Sequence, residues 1–315
     1  MPEYAIECTG LTKKFGTFTA VNGIDLKIKK GELFGFLGPN GAGKTTTMKM
    51  LTTLLSPTAG EASVAGFDLK TEAEHVRTRI GVVPQEFALF GELTAMQNLW
   101  YIGALFGMKS STLKARSEEI LKTVNLYEKR NIPAEGYSGG MKQRLSVAAG
   151  LLHTPEILFM DEPTTGLDPQ SRIALRELTQ SLNDLGITII YTTHDMEEAD
   201  KLCERIAIMD KGKIIAEGTG EELKATYGGC HKIEIEMEEY DSKLLAELKH
   251  ISGAQDVLQH NGIITLCLVT VRGGVLHTVS SFLAKKNIEV KELRAIEPSL
   301  EDVFINLTKK DTRDQ

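Results

Sequence analysis

The sequence predicts an α/β protein, with a mostly parallel sheet covered by helices and then a smaller α+β domain. Three observations carry that prediction. Short apolar runs alternate with helical patterns through the first two thirds of the chain. A glycine-rich loop, Gly38-Pro39-Asn40-Gly41-Ala42-Gly43, sits between one such run and a helix. After Tyr227-Gly228-Gly229-Cys230 the pattern changes to alternating apolar and charged residues around a hairpin signal. A chain of 315 residues with 42% apolar side chains has room and material for two cores.

Gly31 to Leu37 reads as a buried strand that ends at the glycine-rich loop, and Thr45 to Leu55 as the helix that follows. Residues from about Glu86 to Leu152 read as a helical subdomain. Glu156 to Met160 and Ile187 to Tyr191 are apolar runs of strand length. The first domain is placed at residues 1–227 and the second at 231–315. In the second, His231 to Met237 puts Ile233, Ile235 and Met237 on one face. Asp241 to Ile251 is helical. Asp256 to Gln259 and Ile263 to Val271 flank Asn261-Gly262, a hairpin dipeptide. Val275 to Lys285 is helical, Ile288 to Ile296 is strand-like, and Leu300 to Thr308 is helical. That order is βαββαβ with a last helix, a ferredoxin-like arrangement.

Composition limits the partners. The net charge is −7, from 36 basic and 43 acidic side chains, which argues against nucleic acid held by phosphate contacts. Cys8, Cys203, Cys230 and Cys267 are scattered with no metal-ligand spacing, and read as small neutral thiols. The N-terminus has no secretory pattern, and no apolar run reaches the ~20 residues that span a bilayer. The expectation is a soluble chain; if it acts at a membrane, another polypeptide supplies the spans.

Gly38-Pro39-Asn40-Gly41-Ala42-Gly43-Lys44-Thr45 fits GxxxxGK[ST] in the strand–loop–helix context that the motif requires. Glycines let backbone N–H groups turn toward one phosphate, and the helix N-terminus adds unpaired donors. Lys44 is placed to reach the outer phosphates, and Thr45, followed by Thr46, to offer a hydroxyl to Mg²⁺. Ile157 to Met160 runs into Asp161 and Glu162, which puts two carboxylates at the ligand-binding end of a strand. Asp161 is the candidate Mg²⁺ ligand and Glu162 the candidate group that polarises an attacking water. Tyr137-Ser138-Gly139-Gly140-Met141 opens a helix with a good N-cap and an uncovered first turn, a second candidate anion site.

Taken together, these motifs resemble the nucleotide-binding subunit of ATP-binding cassette (ABC) transporters over about residues 4–226. GPNGAGKT at 38–45 matches Walker A, Gln85 the Q-loop and YSGGM at 137–141 the signature. ILFMDEP at 157–163 matches Walker B, Gly166-Leu167-Asp168 the D-loop and His194 the switch histidine. The resemblance implies a P-loop NTPase cassette that binds ATP and Mg²⁺ and works as a head-to-tail dimer. The second copy, or a related cassette, would bring Ser138, Gly139 and Gly140 to the γ-phosphate. It also implies that Gln85 contacts Mg²⁺ and the water, His194 the γ-phosphate and Asp168 the dimer interface. Phe15 matches the aromatic that stacks on adenine, with Phe18 as the rival. YSGGM together with Pro298-Ser299-Leu300-Glu301-Asp302-Val303-Phe304 resembles the branch of multidrug and antibiotic exporters. The implied partner is a transmembrane permease reached from the cytoplasmic face of the cell membrane. Phe87, Leu89, Phe90, Leu93 and Trp100 follow Gln85 closely, and would either receive a coupling helix or pack the helical subdomain. The alternative to an export ATPase is a regulatory switch whose C-terminal domain senses a ligand or partner.

Overall fold

The computed structural model describes residues 3–237, 242–251, 254–260, 263–268, 275–286 and 288–311. Its contacts divide the chain into two units, Met1–Gly220 and Glu221–Gln315.

The first unit begins with β1 (Tyr4–Phe15), β2 (Phe18–Lys29), β3 (Leu33–Leu37) and α1 (Lys44–Leu51). Next come β4 (Ala59–Val64), β5 (Phe67–Asp68), α2 (Ala73–Arg79), β6 (Ile80–Val83), α3 (Ala95–Leu105), α4 (Ser110–Thr123) and α5 (Gly139–Leu151). It closes with β7 (Ile157–Asp161), α6 (Pro169–Asp184), β8 (Thr188–Thr193), α7 (Met196–Leu202), β9 (Arg205–Asp210) and β10 (Lys213–Gly218). α8 (Gly220–Tyr227) starts at the division between the units.

The expected parallel sheet runs β10-β9-β3-β8-β7-β6, with only the β9–β10 pair antiparallel. Every residue of β3, β7 and β8 is buried. Both faces of these strands are covered, which is why they read as unbroken apolar runs rather than as alternation. A second, antiparallel sheet, β2-β1-β4-β5, was not anticipated. Its inward side chains Ile6, Leu11, Val21 and Val64 share one core with Phe34, Phe36 and Phe159 of the parallel sheet.

α1 ends at Leu51, short of the expected Leu55. Thr52 turns its hydroxyl onto Met48 O, Thr53 is left-handed at φ 61°, and Pro57 follows. The segment between Gln85 and β7 carries α3, α4 and α5. Thr94 and Gln97 form a reciprocal capping box at the start of α3.

The second unit holds β11 (His231–Glu236), α9 (Ser242–Leu248), β12 (Ala254–His260), β13 (Ile263–Leu268), α10 (Val275–Lys285), β14 (Glu292–Ile296) and α11 (Leu300–Asp311). Its sheet order is β12-β13-β11-β14 with all neighbours antiparallel, the ferredoxin-like order. Ile233, Ile235, Leu266 and Leu268 pack on Leu244, Leu248, Val279 and Leu283. The hairpin dipeptide Asn261-Gly262, Asp241 and residues 269–271 lie outside the described residues.

Cys8, Cys203 and Cys267 are buried and Cys230 is half-buried, all free. Burial, with Asp25 and Glu7 nearby, pushes the Cys8 thiol up to about 12. It therefore behaves as a small apolar side chain.

Candidate active site

β3 delivers the chain to the glycine-rich loop at the carboxyl end of the parallel sheet. Gly43 precedes α1 at φ 109°, and a Cβ there would lie 2.7 Å from Ala20 O. Both the backbone angle and the close approach require glycine. No side chain caps α1, so its first N–H groups are left for a ligand. Lys44 is buried, and its Nζ donates to Gly38 O at 2.7 Å and Pro39 O at 3.2 Å, which curls it over the loop. Pro39 through Thr46 line a cavity of about 430 Å³ together with Phe18, Ala20, Gln85 and Glu162.

β7 ends in Asp161, with Glu162 next, beside this loop, and β8 holds both acids. Thr45 Oγ1 donates to Asp161 Oδ1 at 3.2 Å, and Thr192 Oγ1, on β8, donates to the same oxygen at 2.6 Å. The Glu162 N–H donates to Thr192 O at 3.1 Å and to Thr192 Oγ1 at 2.9 Å. Pinned in this way, Glu162 takes φ +44°, an angle that costs a non-glycine residue about 1–3 kcal/mol. Its side chain then lies against both basic groups of the site. Oε1 is 3.2 Å from Lys44 Nζ, and Oε2 is 3.1 Å from His194 Nδ1. Thr165 Oγ1 donates to Oε2 at 3.3 Å. Lys44 is 4% and Glu162 7% exposed, so solvent screens this pair little.

A second cluster forms elsewhere in the same unit. Ser138 caps α5 by accepting the Met141 N–H at 3.3 Å. Asp168 caps α6 by accepting from Ser171 N–H at 3.0 Å and Ser171 Oγ at 2.6 Å. Those bonds hold the Asp168 carboxyl below its ordinary range. Gly140 packs on the same serine: a Cβ there would lie 2.2 Å from Ser171 Oγ and 2.6 Å from Ser171 Cβ. Gly139 lies against Leu167. Gly139 and Gly140 thus pack on Leu167 and Ser171, and none of Ser138, Gly139, Gly140, Gly166, Leu167 and Asp168 lines the glycine-loop cavity. Phe15 is the cross-strand partner of Phe18. Phe18 lines the cavity, whereas Phe15 is 49% exposed with Lys13 Nζ 5.2 Å over its ring.

Thr165 and Thr192 escaped the sequence reading. A threonine at the end of an apolar strand has no spacing rule that ties it to an acid 31 residues earlier.

The ABC transporter family model matches residues 21–165, and the C-terminal domain of DrrA1-3-like ATP-binding proteins matches residues 218–308. The linearmycin resistance ATP-binding protein LnrL of Bacillus subtilis (strain 168) is 39% identical, over 98% of this chain and 100% of its own. The chain belongs to the ATP-binding subunits of ABC transporters.

Among other relatives, the daunorubicin resistance ATP-binding protein DrrA3 of Streptomyces coeruleorubidus is 39% identical over 99% of this chain and 98% of its own. The Nod factor export ATP-binding protein I of Ralstonia nicotianae is 37% identical over 97% and 94%. A solved ATP binding subunit of an ABC transporter superposes with a TM-score of 0.64 at 27% identity, over 71% of this chain and 93% of that one. A dimeric ATP-binding cassette in a post-hydrolysis state, bound to ADP and Pi, gives 0.61 at 30%, over 68% and 98%. ABC cassettes bind nucleotide, dimerise and hydrolyse ATP to power transport through transmembrane subunits. No described helix of this ABC subunit is long and apolar enough to cross a membrane.

The residues present fit such a ligand. The uncapped N-terminus of α1 and the buried Lys44 ammonium suit phosphate oxygens. Among the described residues, no cluster of three or more His, Cys, Asp or Glu could hold a metal by itself. Thr45 and Asp161 offer adjacent hard oxygen donors. That set suits Mg²⁺ completed by phosphate oxygens and water.

Proposed function

We propose that this ABC subunit binds MgATP at Gly38–Thr46 and hydrolyses it in a head-to-tail dimer. Hydrolysis, on the cytoplasmic face of the membrane, drives export of a substrate through a separate transmembrane permease. The observation that carries this reading is the separation of the two anion sites. Ser138, Gly139 and Gly140 do not line the cavity formed by their own chain's glycine loop. A second copy, or a related cassette, would supply them in trans, with α5's first turn facing the γ-phosphate.

The roles draw on these contacts and on the family resemblance. Backbone N–H groups from Gly41 to Thr46 would cradle the phosphates, with Gly38, Pro39 and Asn40 shaping the approach. Lys44 would neutralise their charge, and phosphate oxygens would compete with Glu162 for it. Thr45, Asp161 and Gln85 would hold Mg²⁺, which supplies charge neutralisation at the β- and γ-phosphate oxygens when bound. Glu162, freed toward the cavity, would accept a proton from the attacking water. His194 would support Glu162 and reach the γ-phosphate, and Asp168 would act across the dimer interface. Adenine would stack on the aromatic tip of the β1–β2 hairpin, with Phe15 as its face and Phe18 as the adjoining wall.

A separate apolar cavity of about 340 Å³ supports permease docking. Leu54, Ile80, Val82, Pro84, Ala88, Ile102 and Phe106 line it, and Pro84 immediately precedes Gln85 in the chain. Phe87, Phe90, Trp100 and Tyr101 are between 40% and 48% exposed around the same segment, a large apolar display for a surface. Export is supported by the drug-resistance and Nod-factor relatives. Residues 231–315 are read as an accessory, regulatory unit.

The test is Glu162→Gln. It should retain ATP binding, lose at least about 100-fold in turnover and sediment as a dimer with ATP. Turnover within a few-fold of wild type would remove Glu162 from the mechanism. A monomer with bound ATP would remove the trans signature.

A further inference from the structure

Both loops that meet at Glu162 rest on one side chain to which no role has yet been given. Glu198, on α7, is 5% exposed. Its Oε1 accepts from the Tyr191 hydroxyl at 2.9 Å. Its Oε2 accepts from Thr164 Oγ1 at 2.7 Å and from Thr193 Oγ1 at 3.2 Å. The Glu198 N–H donates to Asp195 Oδ1 at 3.0 Å, which fixes the start of α7. Burial, then the neighbouring Glu198, holds the Tyr191 phenol well above its ordinary range, so it remains a donor.

The donors are not placed at random. Thr164 stands two residues after Glu162, and its neighbour Thr165 donates to Glu162 Oε2. Thr193 immediately precedes His194, and its hydroxyl also accepts the Asp195 N–H at 3.0 Å. From one carboxylate, short paths thus reach Glu162 Oε2 and His194 Nδ1, the two atoms that lie 3.1 Å apart. A carboxylate is costly to bury, and an apolar side chain would fill the space at no such cost. What the carboxylate adds is two oxygens that hold three hydroxyls in one geometry.

We propose that Glu198 is a positioning residue for ATP hydrolysis. It ties the 162–165 loop to the 193–195 loop and so holds Glu162 and His194 in register. The inference rests on the assignment of those two residues to the hydrolytic machinery.

Steady-state hydrolysis by the 315-residue chain tests it, with Glu198→Gln, Thr193→Val, the double variant and His194→Ala. An amide has one acceptor oxygen. Given to the two threonines that share Oε2, it is a weaker acceptor and leaves its NH2 against the Tyr191 hydroxyl, itself a donor; given to Tyr191, it leaves both threonines without an acceptor. Glu198→Gln should lower kcat about tenfold with KM for ATP within about twofold. Thr193→Val cuts only the link to the histidine loop, and should lower kcat in the same sense. The double variant should be no slower than Glu198→Gln alone, because both changes break one connection. A wild-type kcat in Glu198→Gln, a proportional rise in KM, or multiplying losses in the double variant would each overturn the inference. If Glu198→Gln does not fold, Thr193→Val decides by the same kcat-against-KM criterion. A normal rate in His194→Ala would instead overturn the role of His194, and the inference with it. A slow His194→Ala beside a normal Glu198→Gln removes the inference alone.

Discussion

Thr192→Val isolates the contact that holds both acids. The hydroxyl is fully buried, donates to Asp161 Oδ1 at 2.6 Å and accepts the Glu162 N–H at 2.9 Å. Valine keeps the shape, so no cavity opens. The bond to the carboxylate is worth about 1.5–3 kcal/mol. The Glu162 N–H keeps Thr192 O at 3.1 Å, and Asp161 Oδ1 keeps Thr45 Oγ1 at 3.2 Å, so neither is left unpaired. Burying a methyl in place of the hydroxyl returns up to about 0.8 kcal/mol. The net cost is about 1–2 kcal/mol. For a unit of this size that lowers Tm by roughly 3–6 °C. Turnover should fall further than stability suggests. Glu162 loses half of the anchor that sustains its φ of +44°, and a misplaced catalytic group can cost about 100-fold. Thr192→Ser is the control. It keeps the hydroxyl and opens a methyl-sized gap, for a similar loss of about 1 kcal/mol, but it should hydrolyse ATP at nearly the wild-type rate. Thermal unfolding and steady-state ATPase on both variants decide the matter. Equal turnover in the two would show that the Thr192 hydroxyl does not hold the carboxylates.

Gly140→Ala should abolish most turnover by driving Ser171, and with it the Asp168 cap, out of place. Adding Ser171→Gly removes both clashing atoms and should restore a measurable part of the rate; no rescue would mean the clash is not the cause. Phe15→Ala should raise KM for ATP several-fold with kcat nearly unchanged. An unchanged KM there, with a raised KM in Phe18→Ala, would move the adenine stack to Phe18. His153 lies stacked on Phe106, with a hydrogen bond to Ile80 O at 2.8 Å. Burial lowers its pKa below 6.5, and the Ile80 bond opposes this in part. The folded chain therefore binds this proton less readily than the unfolded chain. The stabilisation is fully present above 6.5 and is lost as the pH falls through the folded value. His153→Gln should flatten that part of the urea-midpoint profile; an unchanged slope would exclude the assignment.

Much of the architecture could be read locally. Gly38 to Thr45 needs its glycines whatever surrounds it, because the backbone itself must face a phosphate. The buried strands announce themselves because both of their faces are covered. The ferredoxin-like order emerged from alternation, helix periodicity and the Asn261-Gly262 hairpin dipeptide. The antiparallel sheet did not, because β1 and β2 pair through several register shifts, at Tyr4/Ile6, Cys8/Leu11 and Leu11/Lys13 among others. Each shift breaks the two-residue period on which strand recognition depends.

At the site, residue types and their order in the chain singled out as candidates the phosphate loop, Asp161 with Glu162 and the Ser138 cap, and the family resemblance added His194. Those features are set by a few adjacent residues each. Packing alone decided the rest. Thr192 meets Asp161 because β7 and β8 lie side by side in parallel register, with Asp161 opposite Thr192. Gly140 meets Ser171 because α5 and α6 pack there, and Glu198 gathers two hydroxyls from β8 and one from the loop after β7. Hydrogen bonds between distant segments depend on where strands pair and helices cross, and no local pattern encodes that.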